Sequence, residues 1–179
     1  MQYHPEKKGF GNKTILVFGG AGFIGSTFIR QVLAESIKTK IICVDALTYS
    51  GNRESLKGLP KNRFVFIQGD ITDGAHMKKI FAKYNPSYVI NFAAESHVDR
   101  SIHGGAEVFV HANVFGTTVL LEILKHTPSV KKFVQVSTDE VANKVQLYIK
   151  KVGSPSNLTV RVVNNSSGSP STTVKTSGT

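Results

Sequence analysis

The sequence has 179 residues, of which 40% are hydrophobic and 19% are charged, as is typical of one soluble globular domain with or without an appendage. No stretch approaches the roughly 20 apolar residues that a membrane span needs, and the polar residues 1–12 lack the apolar run of a secretory signal, so we expect a cytoplasmic protein. The net charge of +10 suits a nucleic acid or an anionic small molecule. Because the sequence has no nucleic-acid motif and no patch that interleaves aromatic and basic residues, we expect the small molecule, such as a nucleotide, and neither a nucleic acid nor a membrane as partner.

Residues 13–140 alternate between strand-like apolar runs and segments with helical spacing. In chain order they predict strand Thr14–Phe18, helix Phe23–Ala34, strands Lys40–Val44 and Arg63–Gln68, helix Ala75–Lys83, strand Tyr88–Phe92, helix Ala106–Lys125 and strand Lys132–Val136. Near-continuous apolar strands between helices indicate a parallel sheet that is buried on both faces. Right-handed crossovers would then give an α/β fold with a doubly wound parallel sheet.

The pattern changes after Glu140. Lys144–Lys150 and Leu158–Val163 alternate with period two, and clusters of Gly, Ser and Pro separate them. This composition predicts antiparallel β structure or partial disorder. We therefore predict a polar N-terminal extension over 1–12, an α/β domain over 13–141 and a β-rich tail over 142–179.

Three glycines lie between the first strand and the first helix. Gly19, Gly22 and Gly25 have the spacing G-x-x-G-x-x-G. The first permits a tight turn, the second lets the backbone approach a pyrophosphate, and the third lets the helix pack closely on the strand. The N–H groups at the start of the helix would face the phosphates. A tight turn without a ligand is the alternative.

Two carboxylates follow the second and third strands. Asp45 lies where it can accept hydrogen bonds from the ribose hydroxyls of an adenosine, and there it would repel a 2′-phosphate, so NAD is favoured over NADP. Arg53 could soften that preference, and a helix N-cap is the alternative role for Asp45. Asp70 could contact the adenine or cap a turn.

The remaining reactive residue types give no sign of a metal site or a reactive thiol. The single Cys43 lies in the apolar run Lys40–Val44, so we expect a small buried hydrophobic residue. The histidines lack the spacing of metal ligands, and we predict no metal.

Several segments resemble those of the dTDP-glucose 4,6-dehydratase family, within the extended short-chain dehydrogenase/reductases. Beyond the glycines, these are Asp45–Asn52, Gly69–Ile71, Phe92–Ser101 and Ser137–Val141. The resemblance runs from about Lys13 to Val141. It implies a Rossmann fold with NAD as cofactor, and a reaction in which C4 of a hexose is oxidised transiently, water is lost across C5 and C6, and hydride returns to C6.

The resemblance also implies roles for individual residues. The cofactor would be held by ten of them: Gly19, Gly22, Phe23, Ile24, Gly25, Asp45, Asp70, Ile71, Ala93 and Ala94. Ser96 and His97 would face the cofactor or the substrate, and Asn113–Gly116 would belong to a helix that leans on the cofactor.

Three adjacent residues would be catalytic by the same resemblance. Thr138 would bond the 4-hydroxyl of the sugar, Asp139 would protonate the departing C6 hydroxyl, and Glu140 would remove the C5 proton. Such a pair needs one protonated and one ionised carboxyl, which different surroundings can provide. Without the resemblance, Asp139 and Glu140 would look like part of a polar loop.

The sequence departs from the family after these residues. Extended short-chain dehydrogenases carry a Tyr-x-x-x-Lys helix after the Thr, and no such motif follows Thr138; Tyr148 and Lys151 are three positions apart. The sixth strand and the substrate domain are also not recognisable. We therefore expect a nucleotide-sugar 4,6-dehydratase by ancestry, with dTDP-glucose as the substrate and a homodimer as a possible assembly. A related epimerase or decarboxylase, or an NAD-binding module without turnover, are the alternatives.

Overall fold

The computed structural model describes residues 10–95, 106–136, 160–161 and 173–174. Its elements follow one another as β1 (Thr14–Phe18), α1 (Phe23–Glu35), β2 (Lys40–Asp45), a 3-10 helix (Arg53–Leu56), β3 (Phe64–Gln68), α2 (Gly74–Tyr84), β4 (Tyr88–Asn91), α3 (the consecutive segments Ala106–Phe109, Val110–Gly116 and Thr117–Lys125) and β5 (Lys132–Gln135). The eight predicted strands and helices are confirmed, each within one or two residues at its ends.

The five strands form one parallel sheet in the order β3-β2-β1-β4-β5. The strand order reverses at β1. The chain first runs from β1 through β2 to β3 on one side, and then crosses to β4 and β5 on the other side of β1. A crevice opens at such a reversal, outside the carboxyl ends of the strands, and ligands bind there in open α/β sheets. The predicted doubly wound sheet of the Rossmann type is confirmed.

Alternate residues of the central strand enter two separate cores. Ile15 and Val17 of β1 pack with Ile29 and Leu33 of α1 on one face. Leu16 and Phe18 pack on the other face with residues of α2 and α3. Both faces of the sheet are therefore covered, which explains the near-continuous apolar strands.

The central segment of α3, Val110–Gly116, is a π-helix. A π segment widens the helical turn by one residue, and such segments are frequent at functional sites. The apolar spacing along this helix did not predict it.

The stretch Glu107–Lys125 is long and apolar enough to cross a membrane by length and composition alone. This corrects the sequence-based expectation that no stretch approaches that limit. Core helices of water-soluble proteins pass the same test, and Leu120, Leu121 and Leu124 of this helix lie in the core.

The tail contributes two short strands, β6 (Val160–Arg161) and β7 (Thr173–Val174), which pair antiparallel. The rest of the tail lies outside the described residues. The boundary near Val141 and the β-rich character of 142–179 therefore stay predictions.

Candidate functional site

The glycine turn between β1 and α1 depends on two of its three motif glycines for packing. Gly19 has φ +67°, and a Cβ there would lie 2.5 Å from the backbone nitrogen of Ala93. A Cβ on Gly25 would overlap the carbonyl oxygen of Gly19. Both therefore play the steric roles that the spacing predicts.

Gly22 is different, because none of the residues that the structure describes requires a glycine there. Its backbone is extended, with φ −73° and ψ 171°, and a Cβ would meet only the carbonyl oxygen of Gly19, at 3.4 Å. Gly22 lines the cleft beside the turn. The space that its missing side chain leaves is therefore available to a ligand.

Helix α1 begins directly after Gly22 with no side-chain cap and no acidic residue in its first turn. The first N–H groups of a helix have no partner within it and carry a partial positive charge. The Phe23 and Ile24 side chains are 88% and 60% exposed and do not line the cleft. Any contact of these two residues with a phosphate would therefore go through the backbone.

Asp45 ends β2 and is buried. Its Oδ2 accepts a hydrogen bond from the Ala21 N–H at 2.8 Å, and its Oδ1 accepts one from the Leu47 N–H at 2.8 Å. Asn52 donates its backbone N–H to the Ala21 carbonyl at 3.0 Å. The peptide groups of Ala21 in the glycine turn are thus held on both sides, and each oxygen of Asp45 keeps a lone pair for a further donor.

The segment after Asp45 folds back over the carboxylate. Leu47 has φ 54°, a left-handed conformation that is uncommon for a residue other than glycine. A Cβ on Gly51 would lie 2.7 Å from Oδ1 of Asp45. Thr48 and Ser50 consequently line the cleft, a position that the sequence analysis did not assign to them.

Asp70 follows β3 and both caps a turn and lines the cleft. Its Oδ1 accepts hydrogen bonds from the Thr72 N–H at 2.9 Å and from the Thr72 hydroxyl at 2.8 Å. The turn-capping alternative for this residue is therefore present in the structure. Ile71, the next residue, is buried and also lines the cleft.

Residues 92–95 form the wall of the cleft after β4. The Ala93 N–H donates to Oδ1 of Asn91 at 3.0 Å. Asn113 of the π segment binds Glu95 twice, accepting from its N–H at 2.7 Å and donating to its carbonyl at 2.8 Å. The wall is therefore fixed from β4 on one side and from α3 on the other.

Together these groups line one cleft that is open to solvent. Seven of the ten predicted cofactor residues line it: Gly19, Gly22, Asp45, Asp70, Ile71, Ala93 and Ala94. They come from the carboxyl ends of four strands, as the fold rule requires.

The predicted substrate-binding and catalytic residues lie outside the described residues. Ser96, His97, Thr138, Asp139 and Glu140 all fall there, so their roles stay predictions. In the described part of the chain, no three His, Cys, Asp or Glu side chains could hold a metal ion.

Cys43 lies fully buried behind the glycine turn. A Cβ on Gly20 would be 2.5 Å from its sulfur. Burial, and after it the negative charge of Asp45, raise the pKa of its thiol to about 12, although a backbone hydrogen bond with Gly20 acts in the opposite direction. The expectation of a small buried residue is confirmed.

Comparison with known proteins finds one family model, described as GDP-mannose 4,6 dehydratase, that matches residues 16–147. A dTDP-glucose 4,6-dehydratase of Neisseria gonorrhoeae is 45% identical over 140 residues, which cover 73% of this chain and 40% of that protein. The structure of dTDP-glucose 4,6-dehydratase from Bacillus anthracis in complex with NAD matches with a TM-score of 0.62 and 41% identity, over 72% of this chain and 38% of that one.

The structure of dTDP-glucose 4,6-dehydratase from Streptomyces venezuelae, with NAD bound, matches with a TM-score of 0.70 and 35% identity, over 84% of this chain and 55% of that one. The chain thus spans about 40% of the length of the curated relatives that it matches.

Proposed function

Because the chain belongs to the GDP-mannose 4,6-dehydratase family, as an extended short-chain dehydrogenase similar to dTDP-glucose 4,6-dehydratase, we propose that its cleft binds NAD. One observation carries this proposal. An open cleft joins an uncapped helix N-terminus, a glycine that has no packing role among the described residues, and a buried carboxylate with free lone pairs. Pyrophosphate and ribose need these groups in this arrangement.

The same geometry supports NAD rather than NADP. Asp45 would accept hydrogen bonds from the ribose hydroxyls, and its negative charge would repel a 2′-phosphate. The guanidinium of Arg53, the cation that could offset this repulsion, lies over the ring of Phe66 at 5.1 Å. Arg53 is therefore already engaged, and Asp45 dominates the choice.

We further propose a nucleotide-sugar 4,6-dehydratase as the activity from which the site descends, with dTDP-glucose as the substrate and a cytoplasmic location. Bound NAD would supply a reversible hydride acceptor. Thr138 would orient the sugar 4-hydroxyl, Asp139 would deliver a proton to the leaving C6 oxygen, and Glu140 would take the C5 proton. The geometric support is that β5, which ends at Gln135 three positions before Thr138 in the sequence, lies beside β4, and residues 92–95 after β4 line the cleft.

A second candidate is NAD binding without turnover. No Tyr-x-x-x-Lys follows Thr138 in the sequence, and in the family the Tyr takes the proton of the 4-hydroxyl while the Lys lowers its pKa. We expect cofactor binding without useful turnover, because the carboxyl groups of Asp139 and Glu140 alone cannot complete the oxidation.

Calorimetry with NAD and NADP, on the wild type and on Gly22→Val, tests the binding proposal. The extended backbone at Gly22 accepts a valine, so the variant should fold while its side chain fills the space for the pyrophosphate. We expect micromolar NAD binding by the wild type, weaker NADP binding, and loss of both in the variant.

The outcomes separate the candidates. Formation of a 4-keto product from dTDP-glucose supports the dehydratase, whereas NAD binding without product supports the binding module. A folded wild type that binds no NAD contradicts both.

A further inference from the structure

Two buried amide side chains lie next to each other at the carboxyl ends of β4 and β5. Asn91 and Gln135 are the last residues of their strands and are register partners in the sheet. Asn91 is 0% exposed and Gln135 is 5% exposed. Neither was assigned a role by the sequence analysis, and burying two amides needs a reason because each must be fully hydrogen-bonded.

Their hydrogen bonds run in one direction. The Ala93 N–H donates to Oδ1 of Asn91 at 3.0 Å, Nδ2 of Asn91 donates to Oε1 of Gln135 at 2.9 Å, and Nε2 of Gln135 donates to the Val136 carbonyl at 3.1 Å. We call these four groups the amide relay.

The two ends of the amide relay fix its direction. The Ala93 N–H can only donate and the Val136 carbonyl can only accept. Turning either amide over would set a donor against a donor or an acceptor against an acceptor. The relay therefore has one satisfied arrangement, and losing one amide leaves the other without its partner.

One end of the relay is part of the cleft. Ala93 lines it and lies so close to Gly19 that only a glycine fits there. The other end is the exit of β5, where the Val136 N–H also donates to the Asn91 carbonyl at 2.9 Å.

We propose that Asn91 and Gln135 are positioning residues of the cofactor cleft, and that the amide relay holds Ala93 against the glycine turn from β5. The proposal rests on the proposed NAD site. Among the described residues, the side-chain hydrogen bonds of Gln135 reach the cleft wall through Asn91, so we expect its effect on the cofactor to pass through the relay.

The first test replaces Gln135 by methionine, which keeps an unbranched side chain of similar size and removes both hydrogen-bonding groups. Thr127→Val is the matched control, because it removes a side-chain hydrogen bond to the Ile123 carbonyl at the far end of α3. We expect Q135M to weaken NAD binding about fivefold, the size of one net hydrogen bond. T127V should lower the melting temperature and leave the NAD affinity unchanged.

A double-mutant cycle separates a relay from two independent structural roles. If the relay acts as a unit, N91A, Q135M and the double variant should lose similar affinity, because the second change finds the relay already broken. Losses that multiply, or wild-type affinity in Q135M, would overturn the proposal.

Hydrogen exchange of the Ala93 amide, measured without NAD, keeps this test separate from the NAD proposal. We expect faster exchange in Q135M than in T127V, since Asn91 loses the partner that orients it. Unchanged exchange at Ala93 contradicts the relay even if the wild type binds NAD, whereas a wild type that binds no NAD contradicts the proposed function alone. If Q135M does not fold, Gln135→Leu carries the same expectations, because it also removes the acceptor that orients Asn91 and keeps an apolar side chain of similar size.

Discussion

The carboxylate of Asp45 combines a structural and a ligand-binding task in a single side chain. It anchors the N–H groups of Ala21 and Leu47, and the same residue lines the cleft. A side chain with fewer acceptors cannot perform both tasks. Asp70 differs because one oxygen accepts both of its turn bonds.

Asp45→Asn should therefore be far more damaging than Asp70→Asn. An amide has one oxygen, so one of the two N–H groups, of which that of Ala21 is buried and that of Leu47 partly buried, loses its partner at a cost of about 1–3 kcal/mol. We expect D45N to unfold at lower urea concentration and to bind NAD at least about tenfold more weakly, since its charge and one acceptor are gone. D70N should match the wild type in stability, and equal stability losses in the two variants would contradict this account.

The thiol of Cys43 makes stability depend on alkaline pH. Its pKa is raised from 9.0 to about 12 in the folded protein, so between these values only the unfolded chain releases the proton. The contribution to stability is complete below pH 9.0 and is lost as the pH rises toward about 12, because the folded state then binds more protons than the unfolded state.

Cys43→Ala should remove this dependence. The variant should be less stable at neutral pH because it leaves a small cavity, and the gap to the wild type should narrow as the pH rises from 9.0. Urea unfolding at a series of pH values measures both curves. Parallel curves over this range would show that the thiol does not titrate as described.

At the scale of elements, α3 supports the cleft through its π segment. Asn113 binds the wall at Glu95, and Gly116 packs on Ile71, where a Cβ would lie 2.5 Å from Cδ1 and 2.6 Å from Cγ1. One widened turn thus contacts two sides of the cleft.

Gly116→Ala should test that packing, with Gly74→Ala as the control. Alanine favours a helix over glycine by about 1 kcal/mol, but at position 116 the methyl group must displace Ile71, and overpacking costs about 1–3 kcal/mol. At Gly74 in α2, the Cβ would meet only Cγ1 of Val119 at 3.5 Å. We expect G116A to lower the urea midpoint and the NAD affinity, and G74A to keep or raise the midpoint; a G116A variant as stable as G74A would contradict the close contact.

The elements that depend on the pattern of their own residues could be predicted from the sequence. The strands and helices carry strong apolar periodicity, and the motif glycines and Asp45 have a fixed spacing. The π segment was not predictable, because its apolar pattern is that of an ordinary helix and its contacts with Glu95 and Ile71 come from distant parts of the chain. Asn91 and Gln135 are separated by 44 positions and meet only through strand register, which the sequence does not specify.

At the scale of the whole molecule, the helix Glu107–Lys125 should remain part of the fold rather than enter a bilayer. Its leucines at 120, 121 and 124 are buried in the core, so insertion would require unfolding of the sheet. We expect the protein to stay in the supernatant when neutral phosphatidylcholine vesicles are sedimented, with or without NAD. Co-sedimentation of the folded protein would contradict this expectation. The vesicles are neutral so that the net charge of +10 does not itself cause binding to the lipid.

Synthesis from the amino terminus delivers the strands in an order unlike their places in the sheet. β1 leaves the ribosome first, yet it is the central strand of the sheet. Thr14 pairs with Lys40 of β2, whereas Ile15 also pairs with Tyr88 of β4, which is synthesised much later. A nascent chain that ends before β4 therefore has an open edge on its most apolar strand, a species prone to aggregation. Such a chain also lacks the cleft wall at Ala93. A nucleotide would therefore bind only to chains in which β1 and β4 have already paired, and its binding would stabilise the completely folded protein selectively.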